Sequence, residues 1–560
     1  MRIEGLNMQR EINVTYNDSQ IGVLVGTTLK ELSDKYMRDF KYEILISKVD
    51  NDIVELGDTL TKKCKVQFYD RSSSLGHSVY SASANFILIL AVRNILGDNA
   101  KIIFQHSLDN GVFCEIENVN ITKSIVKKIE EEMQRIVEID YKFEKYSVSR
   151  TDAMKYFNSR KEYDKVSVLK YISNTFINLY RVNDLYDYFY GKLAYSTGQI
   201  NDFKLTYIKD NSLVLSIPTI CNPEYTLDYV HHEKVSQTFL HLEAISKRFN
   251  LTHASDLNRI VSRAEVSELI LNSENYYDAQ LNKTAEEILK RGNVRLVLLA
   301  GPSSSGKTTT SKKLMNNLKC RGAHVVQISV DNYFVDKEKT PLGPDGNYDF
   351  ESLYAVDVKL FNKHLIDLMN GEKVQLPTYN FVTGKREYKG NYIQLKDDDI
   401  MIVEGIHCLN DELTKAIDKQ YKYKIYISPL VDLNIDNHNH IHTTDIRKLR
   451  RIVRDSKTRG HGALETLKMW PSIRNGEEKN IYPFQDEADK VINSSLMYEI
   501  GVLKTYVEPL LFCVNEDEEV YPEALRLINF LRNFLPIPSD DVPIDSVLRE
   551  FIGGSCYKDL

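Results

Sequence analysis

Five apolar residues, Leu296-Val-Leu-Leu-Ala300, run straight into Gly301-Pro-Ser-Ser-Ser-Gly306-Lys307-Thr308, and Thr309 to Lys319 then reads as a helix. This is GxxxxGK[ST] set between a buried strand and a helix, and nothing else in the 560-residue chain limits its fold so tightly. The glycines let the backbone wrap so that successive N–H groups point inward at phosphate oxygens, and the helix N-terminus adds its partial positive charge. Gly301, Ser303, Ser304, Ser305, Gly306, Lys307, Thr308 and Thr309 are therefore expected to bind ATP. Lys307 can bridge the β- and γ-phosphates, and Thr308 can offer its hydroxyl to Mg²⁺. The implied fold is α/β, a parallel sheet flanked by helices.

A phosphate loop alone leaves ATPase, GTPase and small-molecule kinase open. Val325 to Val330 runs into Asp331-Asn-Tyr-Phe334, and Ile400-Met-Ile-Val403 ends in Glu404-Gly405. Each strand thus delivers a carboxylate to the C-terminal edge, where open α/β sheets bind ligands. Glu404 stands where a Walker B acid would. Tyr423 to Ile427 is a further strand, and the absence of an NKxD motif near it disfavours a GTPase. Between Arg447 and Arg459 there are seven basic residues and one acid, with Arg447, Arg450, Arg451 and Arg454 on one helical face. Four guanidiniums on one stripe call for a shared anion, and a phosphoryl group in transfer is one. The plainer alternative is a solvated helix with Asp455 as partner.

Taken in order, these segments resemble the uridine kinase/phosphoribulokinase family of P-loop kinases, uridine–cytidine kinases most closely, over about 290 to 515. Ser329-Val-Asp331-Asn-Tyr-Phe334, Asn347-Tyr-Asp349-Phe350, Gln375-Leu-Pro377-Thr-Tyr379-Asn-Phe381 and Glu404-Gly405-Ile406 carry the likeness together with the phosphate loop. The resemblance implies Asp331 as base for a nucleoside 5′-hydroxyl and as a neighbour of the metal. It implies Asp349 as holder of the ribose hydroxyls, and Tyr379 and Phe381 as flanks of the base. Arg451 would approach the substrate, Arg454 and Arg459 would clamp the transferring phosphates, and Glu404 with Thr308 would hold Mg²⁺. Two positions depart from the family. Its base-reading histidine is Gly384 here, and a later arginine is His461, so a preference for pyrimidines does not carry over. A glycine at 384 is expected to leave a roomier base pocket.

Residues 1–70 alternate as strands around a helix, Leu29 to Tyr36, capped by Thr28. This β-grasp-like pattern resembles the TGS domain of threonyl-tRNA synthetases. Residues 71–225, with expected helices Ser81 to Leu96 and Thr122 to Ile139, resemble the α+β editing-type domain of the same enzymes. The family's editing ligands, an HxxxH pair and a CxxxH pair, are replaced by Ser-Ala-Ser-Ala-Asn-Phe on the first helix and Tyr188-Phe-Tyr-Gly-Lys-Leu193 later. The resemblance therefore implies a retained fold without editing chemistry. Residues 226–290 read as a polar helical connector, and 291–560 as the kinase with a closing tail.

Lys plus Arg is 72 and Asp plus Glu is 79, a formal charge of −7 that argues against whole-chain binding to nucleic acid. Phe86 to Val92, the longest apolar run, is short for a bilayer, and the Met1-Arg2-Ile3-Glu4 start lacks a signal-peptide pattern. Seven scattered cysteines suit a reducing cytoplasm. His438, His440 and His442 alternate before the basic helix, where loop contacts or exposure compete with a metal site. The expected activity is transfer of the ATP γ-phosphate to a nucleoside or ribose-like alcohol. An RNA-associated ATP switch and a sugar-phosphate kinase using Lys385-Arg386 are the rivals. No membrane partner is expected; RNA contact through the front domains and a homo-oligomer are left open.

Overall fold

The computed structural model describes residues 10–108, 111–343, 346, 348–380 and 383–557. The C-terminal part is built on five parallel strands, β1 (Leu296–Ala300), β2 (Val325–Ser329), β3 (Ile400–Glu404), β4 (Lys422–Ser428) and β5 (Lys490–Asn493), in the order β2-β3-β1-β4-β5. Both faces are covered, as continuous apolar runs require. Val297 and Leu299 of β1 enter one core, and Leu296, Leu298 and Ala300 enter another on the opposite face. The helices used below are α1 (Val266–Arg291), α2 (Lys307–Cys320), α3 (Thr443–Thr458), α4 (Ala463–Asn480), α5 (Glu499–Phe512) and α6 (Arg549–Ile552).

The stretch read as a connector is helical but is no spacer. Leu269, Ile270, Tyr277, Leu281, Ala285 and Ile288 of α1 are buried in the same core as α2 and the sheet. The Tyr277 hydroxyl lies 2.6 Å from Thr310 Oγ1. The Gln280 side chain continues the sheet beyond β5: its Nε2 donates to Asn493 O at 3.1 Å and its Oε1 accepts from Asn493 N at 3.0 Å.

In the front half, strands Glu11–Tyr16, Ser19–Leu24, Ile44–Val49, Asp52–Val54 and Cys64–Asp70 form one mixed sheet, with helix Leu29–Tyr36 packed on it. Thr28 and Glu31 form a capping box at that helix. A four-stranded antiparallel sheet with helices Ser74–Leu96 and Lys123–Ile139 follows, beside a three-stranded one. The first of these helices starts seven residues before the expected Ser81, because Ser73 caps it through Gly76 N and a Cβ at Gly76 would lie 1.8 Å from Asp70 O. His77 therefore stands on it, which corrects the expectation of a helix without histidine. Its imidazole is pushed down to about 4, chiefly by burial. The same helix is long and apolar enough to cross a membrane by length and composition, although most of it is buried inside the protein.

The front and C-terminal halves are sewn together at the loop before α3. Phe104 N donates to Asn437 O at 2.8 Å, and Asn434 Nδ2 returns to Phe104 O at 3.0 Å. His438 lies 2.6 Å from Asp187, and His440 and His442 lie 2.8 and 3.1 Å from Ser107 Oγ. The three histidines are contacts between the two halves, and none of them is exposed. Among the described residues no group of three or more His, Cys, Asp or Glu side chains is arranged to hold a metal.

Candidate functional site

β1 leads into Gly301, where a Cβ would lie 2.1 Å from Ile427 O, so only glycine lets the chain turn so close to β4. Ser304 (φ 60°) and Gly306 (φ 85°) both adopt the left-handed region, and Gly306 is the N-cap of α2. The Lys307 Nζ curls back to Gly301 O at 2.9 Å and Pro302 O at 3.2 Å. Burial pulls its pKa down, against Glu404 and Asp331, which raise it.

Two carboxylates stand at the strand edge beside this lysine. Glu404, at the end of β3, is buried and accepts from Thr308 Oγ1 at 3.4 Å. Burial and then Asp331 push its pKa up to about 7. Asp331 follows β2 and is exposed, while partial loss of solvation raises its pKa, opposed by Lys307, Arg459 and Arg454. Thr308, Glu404 and Asp331 form an oxygen-only donor set of the type that suits a hard cation such as Mg²⁺.

The basic helix α3 does two jobs, not one. Arg447 and Arg450 are buried and already neutralised, by Glu477 of α4 and, at 2.7 Å, by Glu499 of α5. They grip the outside of the phosphate loop: Arg447 Nε donates to Ser303 O at 3.0 Å, and Arg450 Nη1 to Ser304 O at 3.4 Å. Ser303 N in turn donates to Glu477 Oε1 at 2.9 Å, and Ser494 Oγ to Ser305 O at 2.6 Å. The expectation that all four arginines of the stripe wait for one anion is corrected to this extent. The remaining arginines converge on buried Asp455, with Arg451 at 3.1 Å, Arg454 at 2.8 Å and Arg459 at 3.6 Å. Three guanidiniums on one carboxylate leave surplus positive charge, and Arg451, which also reaches Ser303 Oγ, is pushed down to about 10 by burial and by Arg454.

On the acceptor side, Asp349 is half-buried and its Oδ1 accepts from Glu351 N at 3.1 Å. Glu351, which motif reading passed over, is pushed up to about 7 by burial and Glu477, with Arg451, Asp331 and Lys307 also acting on it. This segment therefore faces the phosphate loop. Tyr379 is buried, with Asn332 Oδ1 accepting from its N–H at 3.2 Å and its ring 5.5 Å from that of Phe334. Phe381 and Asn347 lie outside the described residues.

Gly384 is not an emptied position in a pocket wall. It turns at φ 67°, its carbonyl accepts from Lys337 N at 2.9 Å, and a Cβ there would lie 2.8 Å from Lys337 Cβ. A side chain at 384 would run into Lys337, so the glycine answers to this turn and contact. His461 is exposed, and Arg386 is engaged by Asp357 at 3.1 Å.

Residues 296–500 match the model of the Phosphoribulokinase / Uridine kinase family. A curated uridine kinase from Staphylococcus aureus (strain JH9) is 29% identical over 218 residues, covering 38% of this chain and 96% of that protein. The protein from strain Newman matches equally. Among solved structures, one titled "a Possible Uridine Kinase" from Bacillus stearothermophilus is 20% identical, with TM-score 0.27, 38% of this chain and 98% of the other covered. D-glycerate 3-kinase from Cryptococcus neoformans var. grubii is 15% identical, with TM-score 0.25 and coverages of 38% and 90%.

Proposed function

We propose that this chain is an ATP-dependent kinase that transfers the γ-phosphate to the 5′-hydroxyl of a nucleoside or a closely ribose-like alcohol. The observation that carries the reading is the meeting of Lys307, Asp331 and Glu404 at one sheet edge, where Asp331 also feels Arg454 and Arg459 of the group gathered on Asp455. A phosphate loop used only as a switch needs no acceptor carboxylate at that place.

In this reading the loop amides from Ser304 to Thr309 cradle the nucleotide phosphates, and Lys307 leaves its own carbonyls for them. Thr308 and Glu404, with Asp331 nearby, would hold Mg²⁺, which when bound supplies charge neutralisation between the phosphates. Asp331 accepts the proton of the acceptor hydroxyl and, because phosphoryl transfer passes through a loose transition state, aims that hydroxyl as much as it deprotonates it. Asp349 orients the acceptor ring hydroxyls and Tyr379 flanks the base. Arg451, Arg454 and Arg459 turn from Asp455 toward the equatorial oxygens as charge builds there. The sugar-phosphate alternative is weakened because Arg386 is engaged with Asp357.

The test is ADP formation by the full chain with a panel of nucleosides, sugar phosphates and tRNA. Strict dependence on a nucleoside supports the reading. Turnover with tRNA alone, or with sugar phosphates alone, sinks it.

A further inference from the structure

α6 lies directly against the start of α2. Thr309, in the first turn of α2, donates its N–H at 3.0 Å and its hydroxyl at 2.8 Å to one oxygen of Glu550. Val547 sits over the N-cap, so that a Cβ on Gly306 would lie 2.4 Å from Val547 Cγ2. The segment is firmly seated: Val547, Leu548, Phe551 and Ile552 are buried in the main core. Arg549 donates to Ser539 O at 2.9 Å and Val542 O at 2.7 Å, and Asp545 pairs with Lys313 at 3.0 Å. Its backbone is therefore held, so a withdrawal from Thr309 has to come from the half-buried Glu550 side chain.

The first-turn N–H groups of a phosphate-loop helix are the donors that nucleotide phosphates take. Glu550 already holds one of them, and it places a negative charge where Lys307, Glu404 and Arg459 all respond to it. A phosphate arriving at Thr309 meets both an occupied donor and a like charge. Arg450, whose guanidinium lies 4.9 Å from the Phe551 ring, ties the same segment to α3.

We propose that Glu550 is an intramolecular competitor for the nucleotide phosphate, and that its carboxylate must swing off Thr309 before ATP seats fully. The fraction of molecules with Glu550 withdrawn then multiplies the intrinsic affinity for ATP. The proposal rests on the reading of the loop as the nucleotide site and is independent of the acceptor.

The experiment is calorimetric binding of MgATP and of adenosine, without acceptor, to the full-length wild type, Glu550→Gln, Glu550→Ala and Lys307→Ala. Loss of one charge-assisted hydrogen bond by the competitor should tighten MgATP binding about tenfold in both Glu550 variants, while adenosine binding stays unchanged. Gln keeps the side-chain volume, so a packing defect in the Ala variant cannot mimic the effect. Wild-type MgATP binding that is lost in Lys307→Ala but is equal or weaker in both Glu550 variants overturns the proposal alone. Absence of MgATP binding in the wild type and in both Glu550 variants overturns the nucleotide reading and the proposal with it.

Discussion

Glu477→Gln should cost the protein both stability and nucleotide affinity, and the two losses should be separable. The Arg447 and Glu477 side chains are each 1% exposed and form an ion pair. Burial alone would raise the Glu477 pKa, but Arg447, Arg474 and the Ser303 N–H together outweigh it and hold the carboxylate below its ordinary range. Neutralising Glu477 strands a buried cation, which typically costs about 3–5 kcal/mol. Arg447 would keep the Tyr482 hydroxyl and Ser303 O, both at 3.0 Å, so the lower end, about 3 kcal/mol, is expected. Trp470, the single tryptophan, is buried with its ring 5.4 Å from the Arg447 guanidinium, which makes its fluorescence a local reporter in a urea titration. The double variant Arg447→Met, Glu477→Leu should regain most of the stability, since apolar replacements of a buried pair are often neutral or better. It should not regain ATP affinity, because Ser303 loses its partners at both N–H and carbonyl. The depressed carboxylate contributes its stability above about pH 4.3 and loses it as pH falls below, so wild type and single variant should converge in acid. A double variant no more stable than the single one, or an unmoved Trp470 transition in Glu477→Gln, would refute the reasoning.

Asp331→Asn should retain MgATP binding while kcat falls by roughly 10²–10⁴, the span of a general base; near-normal turnover removes Asp331 from the chemistry. Gly384→His should lower stability by about 1–2 kcal/mol or more, from a left-handed non-glycine residue crowded by Lys337. It should bring no gain in kcat/KM for uridine or cytidine over purine nucleosides, and a clean shift to pyrimidines in a fully stable variant would contradict this. Asp432 is buried and its pKa is pushed up to about 6 by burial, eased by Ser246. A raised carboxylate binds its proton more tightly in the folded state, so stability is lost as pH rises through about 6. Asp432→Asn should therefore gain on wild type between pH 4 and 7 by about 3 kcal/mol at most, measured by denaturant midpoints; a gap that does not widen refutes it.

The parts of the site that were legible in the sequence are those fixed by one segment at a time. Strands β1, β2, β3 and β4 announce themselves as apolar runs, and the first three lead straight into the phosphate loop, Asp331 and Glu404. β5 was missed: four residues preceded by a polar stretch give no pattern, and its exposed edge is satisfied by Gln280, some two hundred residues upstream. The arginine spacing on α3 identified a shared face but not what lies opposite it. Glu477 and Glu499 come from two later helices, and nothing local marks them as partners of Arg447 and Arg450. Gly384 shows a different limit, since a motif comparison reads the identity of a residue and is blind to its φ. Glu351 and Glu550 acquire meaning only through neighbours distant in sequence.

The seating of α1 on α2 has a practical consequence for anyone who would cut this protein. Likeness to smaller kinases begins at residue 296, and a gene fragment would naturally be opened there. That cut would remove Tyr277 from Thr310, strip Gln280 from the last strand and lay bare the row from Leu269 to Ile288. The piece released would be sticky and misshapen at its phosphate loop, and its inactivity would be misread as evidence against kinase chemistry. The smallest self-sufficient fragment should begin no later than Val266, so the border of ancestry and the border of independent folding fall at different places along the chain.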